Sequence, residues 1–287
     1  MHICLIEVPY HAGDERLGSS MGARRLLEAG AADLVTARGV GVAVERVERG
    51  GPFRDTAASA SLVNRALAEV VSRTAADGHL PVVLSGSCDS AMGVLAGLEH
   101  SRCGAVWLDA HADFNTPGTT RSGFFPGMSM AIITGHCYAD YWGQIGDNTP
   151  LSEDTIAMFG VRSLSPDAER ERLDRSAIEV VRWQEGKPQS DVVATLDALA
   201  GRVQEIYLHI DFDGFAPEVA PGIVDEGVPG GLSLEDAEEI VRASGDRFRI
   251  RAVTLATYTP ELDAEEKTLR VGLRLIELLA DYAREQS

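Results

Sequence analysis

The amino-acid sequence predicts an α/β fold in three layers, with a mainly parallel central sheet covered by helices on both faces. Short apolar segments recur along the 287 residues, as expected for strands that are buried on both faces. Helical stretches separate these segments, and alternating strands and helices are typical of a parallel sheet. Acidic and polar residues follow several of the strands directly, at the edge where open α/β sheets bind ligands.

The composition of each segment predicts the individual elements. Strands are predicted where apolar residues run without interruption, at Ile3–Val8, Val82–Leu84, Ala105–Leu108, Ile156–Gly160, Ile206–Ile210 and Ala252–Leu255. Helices are predicted between them, for example at Ala60–Ala75, Leu234–Ala243 and Thr268–Arg284. No low-complexity linker or internal repeat divides the chain, so we expect a single domain over residues 1–287.

The charge and cysteine content narrow the classes of function. A formal net charge of −18 and a pI near 4.7 disfavour nucleic acid and anionic membranes as partners. The charge is compatible with a cationic substrate, although acidity is more often a solubility trait. The four cysteines show no C-x-x-C spacing, and the sequence has no signal peptide and no long apolar span. We therefore expect a cytoplasmic protein with reduced thiols.

The end of the strand at Ala105–Leu108 carries the most informative motif. Asp109, His111 and Asp113 alternate along the chain, so an extended backbone would place them on one face. Such groups do not crowd together in an apolar setting unless something neutralises them, and a divalent metal does so well. An ordinary strand exit that happens to be polar is the alternative.

Two further strand ends could complete a metal site. Asp211 and Asp213 follow the strand at Ile206–Ile210, where a solvated acidic turn is the alternative explanation. Cys88 follows the strand at Val82–Leu84. Since the carboxyl ends of parallel strands share one edge of a sheet, the three ends could meet there. The predicted metal ligands are Cys88, Asp109, His111, Asp113, Asp211 and Asp213.

With these motifs, the sequence resembles the arginase family, the ureohydrolases. The family motif D-A-H-x-D is intact at 109–113, and the motif S-x-D-x-D-x-x-D-P appears at 209–217 as H-I-D-F-D-G-F-A-P. The resemblance continues through 114–117, 119–123 and 230–233, and it covers nearly the whole chain in the right order.

The resemblance implies a hydrolase that cleaves a C–N bond in a guanidine or amidine, often with release of urea. It implies two Mn²⁺ ions bridged by Asp109 and Asp211, with Cys88 and Asp113 on one ion and His111 and Asp213 on the other. Carboxylate-rich sites suit this hard ion, and two ions roughly 3.5–4 Å apart can lower the pKa of a shared water. Relatives usually form trimers or hexamers, so a homo-oligomer is expected.

The first ligand position departs from the family pattern, because Cys88 stands where a histidine is usual. A thiolate binds Mn²⁺ less readily than a harder ligand does, and it adds a negative charge. A similar change occurs in the family branch that hydrolyses Nω-hydroxy-L-arginine, which also shares the run at 113–117 and the triplet at 209–211. In the alternative interpretation Cys88 only fills space, with one metal weakly held or Asp89 as a substitute ligand.

Proton transfer must also differ from the family pattern. Pro126 stands where a proton-shuttling histidine is usual, and Phe124 stands where an asparagine is usual. A general acid must then come from elsewhere or from water. The candidates are His136 and His209, although histidines at such positions are more often structural. The predicted catalytic residues are Asp113, His136 and His209.

Several substrate contacts are altered as well. The glutamate that grips the guanidinium in relatives is Thr257 here, and Asp225 or Glu226 could replace it from a loop near the mouth. The aspartate that meets the substrate's α-amino group falls on Ser163, whereas the carboxylate-binding positions keep hydrogen-bonding groups. The predicted substrate-binding residues are Asn115, Ser122, Phe124, Ser163, Thr257, Asp225 and Glu226.

The sequence therefore predicts a dinuclear Mn²⁺ hydrolase of a small-molecule or peptide guanidine. A modified arginine fits better than free arginine, for example Nω-hydroxy-L-arginine or a peptide-bound or acylated arginine. One alternative is an arginase- or agmatinase-type hydrolase of another amidine or ureido compound. Another is a non-catalytic family member that binds metal.

Overall fold

Eight strands form one sheet in the computed structural model, which describes residues 1–98, 103–146, 149–223 and 227–286. The strands are β1 His2–Val8, β2 Val42–Arg46, β3 His79–Ser85, β4 Cys103–Leu108, β5 Ile156–Phe159, β6 Glu179–Val181, β7 Trp183–Gln184, β8 Lys187–Pro188, β9 Glu205–Asp211 and β10 Arg249–Ala256. The large sheet has the order β2-β1-β3-β10-β9-β4-β5-β6, and β7 and β8 form a separate antiparallel pair. Every pairing described in the large sheet is parallel.

Helices cover both faces of this sheet, which gives the three-layer α/β/α architecture that the sequence predicts. The helices are α1 Gly22–Glu28, α2 Ala31–Ala37, α3 Thr56–Ala76, α4 Ala91–Gly97, α5 Ser129–Ile133, α6 Ala139–Trp142, α7 Asp167–Arg175, α8 Val192–Ala200, α9 Leu234–Arg247 and α10 Lys267–Glu285. Helices α1, α2, α8, α9 and α10 pack on one face, and α3, α4, α5 and α7 pack on the other. In the described part of the chain, no helix has the length and apolar character needed to cross a membrane.

Each strand supplies side chains to two separate cores. Leu5 and Val82 belong to the core beneath α10, whereas the next residues along, Ile6 and Val83, belong to the core beneath α3. This alternation follows from the two-residue period of a strand. Because both faces are covered, the strand sequences are almost entirely apolar, and this is why they could be recognised.

The six predicted strands are confirmed, and so are the three predicted helices, as α3, α9 and α10. Strands β2 and β6 were not predicted because they are short edge strands with half-exposed side chains. Most of the remaining helices are seven residues or shorter, too short to show a clear 3.6-residue pattern.

The sheet order brings distant parts of the sequence to one edge. Strands β3, β10, β9 and β4 are consecutive neighbours, although β10 is the last strand in the chain. Their carboxyl ends lie side by side, so the residues that follow each strand meet there. The long connection after β9 returns to α9 through a capping box, in which Ser233 and Asp236 each accept a backbone N–H from the other.

Candidate metal centre and substrate cavity

The polar residues that end the central strands are buried. Asp211 is the last residue of β9, Asp109 follows β4, and Cys88 begins a short 3-10 turn after β3. Their exposed fractions are 2%, 0% and 3%. Buried carboxylates need a compensating charge or hydrogen bonds, so this cluster calls for a partner.

Three overlapping groups of side chains could each hold a metal ion. Within each group the ligand atoms lie within 4.8 Å of one another. The groups are Cys88 with His209 and Asp211, Cys88 with Asp109 and Asp113, and Asp109 with His111 and Asp213. All six predicted ligands therefore come together, and Asp89 belongs to none of the groups. His209 joins them, although the sequence did not predict it as a ligand.

Hydrogen bonds orient the carboxylates at this centre. Asp109 accepts from Trp107 Nε1 at 2.9 Å and from the backbone N–H of His111 at 2.7 Å. Asp211 Oδ1 accepts from the backbone N–H of Asp213 at 2.8 Å, and Asp211 Oδ2 lies 2.7 Å from the Cys88 sulfur. Fixed orientation of ligands by surrounding groups is typical of metal sites.

The electrostatics of the cluster favour added positive charge. Burial and the neighbouring carboxylates raise the pKa of Asp113 and Asp211 well above the ordinary value. Burial opposes the charged form of His111, but Asp213 and Asp109 outweigh it and raise its pKa to about 12. Within the described ranges, Asp113 Oδ2 is buried without a hydrogen-bond partner. Unpaired oxygens among crowded carboxylates fit divalent cations.

Two residues at the centre have a strained backbone. Asp113 and Thr257 have φ angles of +50° and +73°, which are uncommon for residues other than glycine. The Asp113 carbonyl accepts from the backbone N–H of Met130 at 2.9 Å, and the Thr257 hydroxyl bonds to Asp211. Strain of this kind concentrates at functional sites.

A cavity of about 320 Å³ opens directly onto the candidate ligands. Its lining includes Cys88, His111, Asp113, Asp211 and Asp213. The predicted substrate-binding residues that also line it are Asn115, Ser122, Phe124, Ser163 and Thr257. Asp225 and Glu226 lie outside the described residues. Metal ligands and substrate-binding candidates therefore share one pocket.

The two histidines predicted as general acids lie away from the cavity lining. His136 Nε2 is 2.7 Å from Glu153, and its Nδ1 is 3.3 Å from Arg172. His209 is completely buried behind the ligands, and burial lowers its pKa to about 3. It is therefore neutral at physiological pH.

Three ionisable residues of the cavity lining were not predicted from the sequence. His11 and Arg121 line the cavity, and so does the buried carboxylate of Glu169. His11 follows the carboxyl end of β1, so its position at the ligand-binding edge was a signal that could have identified it. Glu169 accepts backbone N–H groups from Phe114 and Ser165 at 3.1 and 3.0 Å, and so it joins two loops at the cavity wall.

Arg162 fixes the loop that follows β9. Its guanidinium donates to the backbone carbonyls of Asp213, Gly214, Phe215 and Val228 at distances of 2.8 to 3.0 Å. Burial lowers the pKa of Arg162. A guanidinium with several carbonyl acceptors is well suited to hold an irregular backbone segment in place.

A model described as "Arginase family" matches residues 1–280 of this sequence. The chain belongs to the arginase family. As a member of this family, it is a metal-dependent hydrolase of C–N bonds in guanidino compounds, as the sequence predicted.

Arginases from different organisms resemble the chain over most of its length. Arginase from Bacillus caldovelox is 28% identical over 96% of both chains, and mouse mitochondrial arginase-2 is 26% identical over 95% of this chain and 82% of its own. The crystal structure of arginase from Bacillus subtilis superimposes with a TM-score of 0.86 at 27% identity, covering 98% of both chains. The chain therefore has the fold of these arginases over nearly its whole length.

Proposed function

We propose that this arginase-family hydrolase acts on a modified arginine, such as Nω-hydroxy-L-arginine or a peptide-bound or acylated arginine, with two Mn²⁺ ions. The convergence of six ligand candidates, five of which line one cavity, is the observation that carries the proposal. Cys88, Asp113, Asp109 and Asp211 would hold one ion. The second would be held by Asp109, Asp211, His111 and Asp213.

When bound, such a pair of ions lowers the pKa of water and makes it a nucleophile at neutral pH. The protein's own contribution is to fix the ligands and to shape the cavity above them. The hydrogen bond from Trp107 Nε1 orients the carboxylate of Asp109. The Thr257 hydroxyl holds another, Asp211.

The residue at position 257 supports a modified substrate. Thr257 has no carboxylate to pair with a guanidinium, and its hydroxyl is directed to Asp211. The cavity carboxylate of Glu169 is already engaged by two backbone N–H groups. Among the described residues, a fully cationic guanidinium would thus lack a dedicated partner, whereas a less basic Nω-hydroxyguanidine has less need of such a partner.

Arg121 supports a substrate that carries a carboxylate. It lines the exposed side of the cavity, and it makes no ion pair with any residue in the described ranges. Guanidinium groups bind carboxylates through paired hydrogen bonds. Ser122, close in sequence and in the same cavity, adds a hydroxyl. An amino-acid substrate is therefore favoured over a decarboxylated one such as agmatine.

His11 is suited to pass a proton to the leaving nitrogen. Its Nδ1 lies 2.9 Å from the Ser19 hydroxyl and 3.1 Å from the Gly86 carbonyl; since the carbonyl can only accept, it is a partner when Nδ1 carries the hydrogen. The remaining ring nitrogen, Nε2, is then the basic atom of a histidine that lines the cavity. Such an imidazole can supply the general acid that Pro126 cannot.

The test is a turnover assay with Nω-hydroxy-L-arginine, L-arginine, agmatine and a peptide containing arginine, each with added Mn²⁺. We expect the highest kcat/KM for a modified arginine that bears a carboxylate. Asp109→Asn should abolish turnover, because Asp109 is shared by two of the ligand groups. Asp140→Asn, at an exposed site in α6, is the matched control and should retain activity.

Preference for free L-arginine over every modified form would overturn the choice of substrate. Absence of turnover on all four compounds would overturn the proposed function itself.

A further inference from the structure

We infer that His209 supplies a metal-ligating imidazole through Nε2, in place of the histidine that Cys88 replaces. This inference rests on the dinuclear centre of the proposed function. It adds an imidazole from β9 to the ligand candidates, alongside the Cys88 sulfur from the loop after β3. The tautomer of His209 and its position both support it.

His209 is rigidly held. In the sheet it is paired with Trp107 on β4 and with Thr254 on β10. The Trp107 ring stacks on the imidazole with 3.6 Å between ring centroids and 11° between planes. His209 is fully buried and lies two residues before Asp211 on the same face of β9. Its ring is therefore oriented before any ligand binds.

The hydrogen bonds around the ring define its tautomer. The Tyr207 hydroxyl donates its single hydrogen to Thr254 Oγ1 at 2.8 Å. It also lies 2.7 Å from His209 Nδ1, and toward that atom it can only accept. Nδ1 therefore carries the hydrogen, and Nε2 presents a lone pair. Metal-binding histidines are commonly fixed in this way by a partner on the other nitrogen.

The lone pair of Nε2 is buried and has no hydrogen-bond partner among the residues that the structure describes. A buried, unpaired acceptor has lost its contact with water and gained nothing in return, so such an atom calls for a ligand. The ligand atoms of Cys88, His209 and Asp211 lie within 4.8 Å of one another. The thiol of Cys88 does not satisfy Nε2, because its hydrogen is directed to Asp211 Oδ2. A divalent cation between these three side chains would satisfy the lone pair.

The test counts imidazole nitrogens bound to Mn²⁺ by electron spin echo envelope modulation. His111→Asn removes the imidazole of the D-A-H-x-D motif, and the protein is loaded with one equivalent of Mn²⁺. We expect a ¹⁴N signal typical of a coordinated imidazole to persist. It should disappear in the double variant with His209→Gln. The inference would be overturned if the ¹⁴N signal persisted in the double variant or was absent from the single variant His111→Asn.

Calorimetric titration with Mn²⁺ gives a second measurement. His209→Gln should weaken one of the two binding events at least tenfold, and the exposed His136→Gln should weaken neither. Tyr207→Phe keeps the imidazole and removes only its partner, so it should weaken the same event by about tenfold. Circular dichroism establishes that each variant is folded.

Two unchanged binding events in folded His209→Gln would refute this ligand role. Fewer than two events in the unaltered protein would instead contradict the dinuclear centre of the proposed function, so the two failures are distinguishable.

Discussion

Cys88 places a sulfur at a candidate metal centre whose other ligand candidates offer oxygen and nitrogen. Burial, followed by the charges of Asp211, Asp113 and Asp109, raises the pKa of this thiol well above the ordinary value. Without a cation, therefore, the thiol keeps its hydrogen. A bound ion would displace that hydrogen, because the thiolate is the form that binds metals.

Cys88→Ser should lower Mn²⁺ affinity at one of the two sites by at least about tenfold, because a neutral hydroxyl replaces a thiolate ligand. Calorimetric titration measures the affinity. In the Co²⁺-loaded protein, the thiolate-to-metal charge-transfer band should disappear. Cys137→Ser, at a half-buried cysteine outside the ligand groups, is the control and should change neither property. An unchanged spectrum in Cys88→Ser would show that the sulfur does not bind the ion.

Arg121→Gln should raise KM for a carboxylate-bearing substrate by about tenfold and leave kcat nearly unchanged. The reason is that a charge-assisted hydrogen bond contributes about 1.5 kcal/mol to binding. Steady-state kinetics measure both constants. Arg175→Gln, an exposed surface arginine paired with Glu171, is the control. A fall in kcat at constant KM would show that Arg121 does not act in substrate binding.

Among the individual residues, the metal-ligand candidates could be predicted from the sequence because they lie where apolar strands end. Glu169 could not be, since it lies within α7 and only the fold directs it into the cavity, whereas His11 follows β1 and could have been identified by that position. Arg121 lies in a loop whose conformation is set by contacts such as that between Asn115 Oδ1 and the Thr119 hydroxyl. A loop conformation of this kind leaves no periodic pattern of apolar residues in the sequence from which it could be predicted.

Among the elements, the segment after β9 is held in position by one side chain, that of Arg162. Arg162 donates to the backbone carbonyls of three consecutive residues, 213–215, and to that of Val228. Gly231 packs so closely against Arg162 that an added Cβ would lie 2.6 Å from Nη2 of the guanidinium. The loop that carries Asp213 therefore has its position set from the end of β5.

Arg162→Met should lower the free energy of unfolding by roughly 3 kcal/mol, because several buried carbonyls lose their donor. Urea denaturation measures this. It should also weaken Mn²⁺ binding, since Asp213 would lose its fixed position. The control is Arg182→Met, which removes a surface ion pair with Asp174 and should change stability by less than about 1 kcal/mol. Equal effects in the two variants would contradict the role assigned to Arg162.

Central elements could be predicted from the sequence and peripheral ones could not. Strands β3, β4, β9 and β10 are covered on both faces, so burial leaves an apolar run in each. At the edges, β2 mixes Val42 and Val44 with Glu45 and Arg46, and it resembles a loop. The order of the strands was also beyond the sequence, because it depends on pairing between segments far apart in the chain.

Over the whole molecule, the buried acidic centre should make stability depend on pH and on cations. Burial, and then Asp213, raises the pKa of Asp109 from 3.8 to about 7. The pKa of His111 rises from 6.5 to about 12. Both groups bind protons more tightly in the folded protein, so stability without metal should fall as pH rises through these intervals. The pKa of Asp213 is lowered from 3.8 to about 2, so its own contribution to stability changes only at pH values below these intervals.

Added Mn²⁺ should therefore raise the melting temperature more at about pH 8 than at about pH 5, because cations replace the protons that the centre loses. Differential scanning fluorimetry with EDTA or with Mn²⁺ measures the difference. Asp109→Asn should reduce the pH dependence of the metal-free protein. A shift that is larger at low pH would contradict this assignment of charges.

The place of β10 between β3 and β9 has a consequence for biogenesis. During synthesis, the ribosome releases the first nine strands before the strand that must join their two halves. Until residues near Ala256 emerge, the sulfur after β3 and the carboxylates after β9 have no shared wall to hold them together. We expect nascent chains that stop short of β10 to capture no manganese pair, so ion uptake would report completion of the polypeptide.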